Sequence, residues 1–233
     1  EDSSNSSDGK IQFGSNTDNT IEIDQSNSEF RLGAGVTKIE SAQSDTMHVF
    51  SETSADYSAI LASLVGGSPS TGSAILGGSG NSISGHFDVI VAGVNNSISG
   101  GFYNFIGGGT GIDIVNSEYA VSVGGRNNDI SASNFAVIGG GFNNLISGSS
   151  TSNIAGGQAN EITGEVGGSI GGGNNNRVYN KYSSIVGGQT NEIKYQKIDG
   201  GYNFIGAGVS NTISGSENII AGGNNNTVIG SRS

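Results

Sequence analysis

The residues of this chain that could do chemistry are few and scattered. There are two histidines, His48 and His86, in different segments, and no cysteine. No Ser/His/Asp set can be argued from them, and thiolate metal sites and disulfides are excluded outright. Gly108-Gly109-Thr110-Gly111-Ile112-Asp113-Ile114-Val115 matches the calcium-binding nonapeptide pattern once. Calcium rolls need that pattern in tandem, with carboxylates supplied by successive turns, and no neighbouring unit repeats the Asp. Gly171-Gly172-Gly173-Asn174 is glycine-rich but lacks the Lys-Ser/Thr and the helix of a phosphate loop. The acidic residues fall mostly on outward positions. The expectation is a non-enzymatic protein with no catalytic residue, no cofactor and no metal.

A different residue type is spaced with regularity. Asn81, Asn96, Asn128, Asn144, Asn160, Asn176, Asn191, Asn211 and Asn226 lie 15 or 16 residues apart, or at twice that spacing where Ile112 takes the place of one of them, with a single 20-residue interval before Asn211. Taking these ten positions as anchors, every unit has Gly three residues earlier, from Gly78 to Gly223, and Gly or Ala (Ala92, Ala207) four earlier. Six earlier stands Ile, with Ser122 the exception, and two later stands Ile or Val. Internal repetition of this kind is the signature of stacked coils.

The elements that must position the Asn column follow from side-chain type. β-Branched residues favour extended backbone, and residues two apart share one side of a strand. Ile and the small or polar residue two before it (Ser73, Asp88, Asn104, Ala120, Ala136) face inward on one strand. The anchor and the Ile two after it face inward on the next. The Gly-Gly pair makes the turn between them, and Gly85, Gly100, Gly148, Gly164, Gly215 and Gly230 mark a second turn. One such coil is too thin to bury its own Ile. The pattern predicts an all-β parallel β-solenoid of about ten coils, about 4.8 Å apart, with the Asn column as a structural amide ladder.

The two strands differ outwardly. The first carries Leu76, Val89, Val91, Phe105, Val121, Val123, Val137, Val186, Phe204 and Ile219. The second carries Ser82, Ser97, Asp113, Asp129, Glu161, Arg177, Glu192, Thr212 and Thr227. An apolar face on a rod implies a partner, and self-association is the simplest. Phe87, Tyr103, Tyr119, Phe135, Tyr182 and Tyr202 form an aromatic column nine residues before the anchor, read as a stacked corner, with glycan or receptor contact as the functional alternative. Lys194, Tyr195, Gln196 and Lys197 open the longer unit and are the candidate contact loop. Tyr57 fits the aromatic offset one unit earlier, so the solenoid is expected over 57–233. Residues 1–56, with short alternating runs at Lys10–Phe13, Thr20–Asp24, Glu29–Leu32, Val36–Glu40 and His48–Phe50, are expected to form a β-rich cap or attachment segment.

The chain has 42 Gly, 1 Pro and a formal charge of −11. Such acidity disfavours nucleic acid as a partner, and no apolar run is long enough to span a bilayer. The first residue, Glu1, and the single methionine, Met47, read as a processed or partial chain, in keeping with an extracellular, virion or cell-surface location.

Units such as Ser184-Ile185-Val186-Gly187-Gly188-Gln189-Thr190-Asn191-Glu192-Ile193 resemble the head repeats of trimeric autotransporter adhesins and the repeats of phage tail and virion fibres, over about residues 57–230. That resemblance implies a left-handed β-roll, a homotrimer, and attachment to a cell-surface glycan or protein receptor. The adhesin heads repeat at about 14 residues and use Ala and Ser where this chain has Gly-Gly and Asn, and no coiled-coil stalk is seen here. The half-unit Asn81-Ser82-Ile83-Ser84-Gly85 also resembles plant ice-binding β-rolls. The varied outward residues of the second strand speak against a regular ice-matching face. The leading expectation is a structural or adhesive fibre, with bacterial adhesin head and ice-binding roll as alternatives.

Overall fold

The structure, a computed structural model, describes residues 10–12, 20–24, 29–32, 37–41, 47–51, 72–164, 166–194 and 201–231. Every regular element among them is a strand. The N-terminal part is a five-stranded antiparallel meander of β1 (Lys10–Gln12), β2 (Thr20–Asp24), β3 (Glu29–Leu32), β4 (Thr37–Ser41) and β5 (Met47–Ser51), each strand paired with the next in sequence. These five ranges overlap the five alternating runs. Tyr57 and the rest of 52–71 lie outside the described residues.

From residue 72 onward the chain is a parallel β-solenoid. Two ten-stranded parallel sheets run its length. One collects the first strands, from Ala74–Ile75 to Ile219–Ile220, and the other the second strands, from Ser82–Ile83 to Thr227–Ser231. Each strand pairs with its counterpart one coil on, so Ile90 lies over Ile75 and Ile98 over Ile83. We number the coils 1 to 10 by their anchors, Asn81 to Asn226. Ten stacked strands in each sheet define nine inter-coil steps.

The coil is more than two strands and two turns. Two residues before the anchor, single-residue bridges form a further parallel column, Ser79–Val94–Thr110–Arg126–Phe142–Gln158–Asn174–Gln189–Val209–Asn224. The turn is therefore held coil to coil by backbone hydrogen bonds, such as Phe142 N–H to Gly157 O at 2.9 Å.

The core is two columns of branched side chains. Ile75, Ile90, Ile106, Ile138, Ile154, Ile170, Ile185, Ile205 and Ile220 come from one sheet. Ile83, Ile98, Ile114, Ile130, Ile146, Ile162, Val178, Ile193 and Ile213 come from the other. All are buried. Burying each contributes about 1.5–3 kcal/mol. The small or polar inward residues are buried too, among them Asp88, Asn104, Ala120 and Ala136.

Ser122 interrupts the first Ile column between Ile106 and Ile138. It is fully buried, and its hydroxyl has no hydrogen-bond partner. Ser122→Val restores branched apolar volume and removes a desolvated polar group. The variant should be more stable by about 1–2 kcal/mol, read as a raised thermal midpoint. An unchanged or lowered midpoint would mean that the neighbouring Ile side chains have closed over the site.

Candidate functional site

The anchor Asn side chains occupy one interior column, buried from Asn96 to Asn211, with Asn226 exposed at the last coil. Their hydrogen bonding is richer than an amide-to-amide ladder. In coil 7, Asn176 Oδ1 accepts the backbone N–H of Asn191 at 3.0 Å and its Nδ2 at 3.1 Å. Asn176 Nδ2 donates to Gly172 O in its own coil and to Gly188 O in the next, at 3.0 and 2.9 Å. The same pattern recurs at Asn144, Asn160, Asn191 and Asn211. Each amide thus closes the turn of its own coil and fastens the next coil to it. Ile112 breaks the column in coil 3. Asn96 Oδ1 still accepts the Ile112 N–H at 3.0 Å, since that bond needs no side chain from the acceptor's neighbour.

The turn explains the glycines. Three residues before the anchor, φ lies between +92° and +115° in all ten coils. In eight of the ten a Cβ there would run into the carbonyl of the equivalent glycine one coil on and into the anchor Asn Nδ2; at Gly109 it would meet the Gly125 carbonyl and Ile112, and at Gly223 Asn226 alone. Four residues before the anchor φ is not left-handed at Ala92 or Ala207, which is why Ala is accepted at that position alone.

Two further left-handed columns went unseen in the sequence. One lies directly before the anchor, where φ is +52° to +67° at all ten positions, including Asn95, Asn127, Asn143, Asn175 and Asn225. Asn tolerates this region better than most residues. The Asn-Asn doublets were the available signal: the first Asn makes the corner and the second enters the core. The other column is the aromatic one. Phe87, Tyr103, Tyr119, Phe135, Tyr182 and Tyr202 all have φ between +51° and +60°, rare for bulky side chains.

The aromatic rings form a four-ring stack, Phe87–Tyr103–Tyr119–Phe135, and a two-ring stack, Tyr182–Tyr202. Centroids are 5.0–5.2 Å apart and the planes lie within 18° of one another. Thr151 and Gly167 separate the two stacks. The faces of the inner rings are consumed by their neighbours. The Phe87 and Tyr182 rings also lie where a Cβ on Gly72 or Gly167 would be. The inner rings, Tyr103 and Tyr119, therefore present edges to solvent, whereas Phe135 and Tyr202 end their stacks and are more exposed. A sugar stacks on a free ring face, and the inner rings offer none.

On the first-strand sheet, Leu76, Val91, Phe105, Val123, Val186, Phe204 and Ile219 are exposed, and Val89, Val121 and Val137 are half-buried. The strip is not continuous. Asn153, Ala155, Ser169 and Gly171 put a polar or small-residue band across coils 6 and 7, the same coils at which the aromatic column stops.

The second-strand sheet is mostly polar, with Leu145 half-buried and Ile229 exposed on it. Asp113 and Asp129 are register neighbours, both exposed on an open sheet. Burial, then the Asp113 charge, pushes the Asp129 carboxyl above its ordinary range. Arg177 lies between Glu161 and Glu192, its Nε 3.5 Å from Glu161 Oε2. Tyr179 donates its hydroxyl to Glu161 Oε2 at 3.2 Å, and burial followed by the Glu161 charge pushes its phenol up to about 12.

His86 stacks on Phe102 at 5.3 Å; the side chain of His48 lies outside the described residues. Among the described residues no group of three or more His, Asp or Glu could hold a metal ion, and no helix is long and apolar enough to cross a membrane. Lys194 is exposed, its Nζ 3.7 Å from Glu192 Oε2. Tyr195, Gln196 and Lys197 lie outside the described residues. No family model and no curated protein sequence matches this chain.

Proposed function

We propose that this protein is the shaft of a structural or adhesive fibre, of the kind a virion or cell surface uses to reach a receptor. In this reading three copies associate along their first-strand sheets as left-handed rolls. The observation that carries it is the exposure of branched and aromatic side chains in register on that sheet. Val123, Val186 and Ile219 are 54%, 55% and 64% exposed, while the opposite sheet, apart from Leu145 and the terminal Ile229, is lined mostly with Ser, Thr, Asp, Glu and Arg. A soluble rod with one apolar side is covered most economically by copies of itself, because like columns meet like columns. The polar band at coils 6 and 7 divides the contact into two patches and would hold the copies in one axial register.

The test is the mass of the full chain in solution by light scattering. The expected result is three times the 23.4 kDa of one chain. Val123→Asp combined with Val186→Asp should shift that mass toward a single chain while leaving the β circular dichroism signal unchanged, since both side chains lie outside the core. A wild-type chain that stays monomeric at high concentration would overturn the reading.

A further inference from the structure

Asp88 is fully buried, in a column otherwise made of Ser, Asn, Ala and Gly. The other Asn members of that column show what the position demands. Asn104 accepts the Ala120 N–H on Oδ1 at 2.9 Å and donates Nδ2 to the Ser117 carbonyl, thirteen residues on, at 2.8 Å. Asn203 and Asn218 likewise donate Nδ2 to the carbonyls of Gly215 and Gly230, at 2.9 and 2.8 Å. The position takes one acceptor, facing the backbone N–H of the next coil, and one donor, facing a carbonyl.

Asp88 satisfies half of this. Its Oδ1 accepts the Asn104 N–H at 2.7 Å. Its Oδ2, in the place of the amide nitrogen, has no partner. The carbonyl thirteen residues on from Asp88 is that of Gly101. Both Asp88 Oδ2 and Gly101 O crowd the point where a Cβ on Gly85 would stand. Two acceptors therefore border the same point: the Gly101 carbonyl accepts the His86 N–H at 3.3 Å, and no donor reaches Asp88 Oδ2. Such an arrangement is costly for a carboxylate and favourable for a carboxylic acid, whose O–H supplies the missing donor.

We propose that Asp88 is a proton-binding site: a neutral carboxylic acid that donates to the Gly101 carbonyl and tightens the first coils of the solenoid on acidification. Burial acts in this direction by pushing the carboxyl above its ordinary range, against the opposing pull of the Asn104 hydrogen bonds and of His86. On the coils packed against it, the preceding one presents Ser73 and the following one Gly101, Phe102 and Asn104, with Tyr103 at the outer corner. His86, on its own coil, is the titratable side chain that bears on it.

The sign follows from linkage. The folded state holds this proton more tightly than the unfolded chain does. The stabilisation is complete below the ordinary carboxyl pKa and is lost as pH rises from about 4 through the raised value. The test is thermal unfolding of the full chain and of Asp88→Asn between pH 4 and pH 8. Asn supplies the donor at every pH. Relative to D88N, the wild-type midpoint should fall as pH rises. At pH 8 the variant should melt higher by about 2–4 °C, the shift expected of a change near 1 kcal/mol in a chain of this size.

Identical pH profiles, or a D88N midpoint below wild type at neutral pH, would overturn the proposal. So would added calcium or magnesium raising the wild-type midpoint but not that of D88N, because the occupant would then be a cation. Carbon-13 titration of the aspartate carboxyls in the wild-type chain reads the same proton directly and needs no folded variant. The Asp88 signal, assigned by sequence and so told apart from that of Asp129, should remain protonated after the unperturbed carboxyls have ionised; its ionising together with them would be equally decisive against the proposal.

Discussion

Asn160→Ala should lower the stability of the solenoid by about 3–5 kcal/mol, as should truncation of the other mid-stack anchors that make the same bonds. The expectation comes from what the amide holds. Its Oδ1 accepts the Asn176 N–H at 3.0 Å, and its Nδ2 donates to Gly156 O and Gly173 O at 3.0 and 3.1 Å. Truncation leaves a backbone N–H in the core without its acceptor, about 1–3 kcal/mol, and removes two hydrogen bonds worth about 0.5–1.5 kcal/mol each. The Gly173 carbonyl keeps a second donor, the Gln158 N–H at 2.9 Å, which limits the damage on that side. The loss is read as the shift in the denaturant or thermal midpoint. A change below about 0.5 kcal/mol, the range of an ordinary surface substitution, would mean that the column contributes nothing to holding the coils together. Ile112 shows that one gap in the ladder is compatible with a continuous stack, so the variant is expected to fold and the loss to be measurable.

The comparison of sequence with structure turns on the same column. The inward Ile and Asn positions were legible because burial of one side of a short strand forces a period of two, and stacking forces that pattern to recur every coil. Ile90 and Ile98 could hardly face elsewhere without leaving the core empty. Three things were not legible. The bridge column through Thr110, Arg126 and Phe142 is backbone pairing, and the outward side chains there vary too widely to reveal it. The left-handed corner at Asn95 had a signal in the Asn95-Asn96 doublet, but that at Tyr103 could not be inferred, because aromatic residues are not expected at positive φ. There the strain is offset by ring stacking between coils, at about 0.5–1.5 kcal/mol per pair, which exists only once the coils are piled in register. The unmet demand at Asp88 was invisible as well. Its significance depends on Asn104 and Asn203 making the same two bonds in the same place, and on Asn218 repeating the donated one. The aromatic column was read as either a stacked corner or a receptor strip. In the structure Phe87, Tyr103, Tyr119 and Phe135 stack face to face at the corner, an arrangement that turns the faces of the inner rings toward one another.

The glycine three residues before the anchor supports a sharper test, because two substitutions of the same type should differ widely in cost. Gly141 has φ of +95°, and a Cβ added to it would overlap the Gly157 carbonyl and stand 2.7 Å from Asn144 Nδ2 and 2.9 Å from the Gly157 amide nitrogen. Neither backbone group can retreat, since Gly157 is fixed by the Phe142 N–H and by the Asn144 amide. Gly141→Ala therefore combines backbone strain of about 1–3 kcal/mol with separation of two coils at mid-stack. The expected outcome is a loss of about 4 kcal/mol or more, seen as a much lower midpoint or failure to accumulate folded protein. Gly148 is also left-handed, at φ +62°, but a Cβ there meets nothing within 4 Å. Ala132 and Ala159 already adopt this conformation, at +48° and +52°. Gly148→Ala should cost about 1 kcal/mol or less, because the left-handed penalty is partly offset by the reduced freedom of the unfolded chain. Equal effects at the two sites would mean that φ alone selects glycine. The predicted inequality assigns the difference to the close approach of successive coils, the same approach that lets an asparagine side chain reach the carbonyl of the next turn.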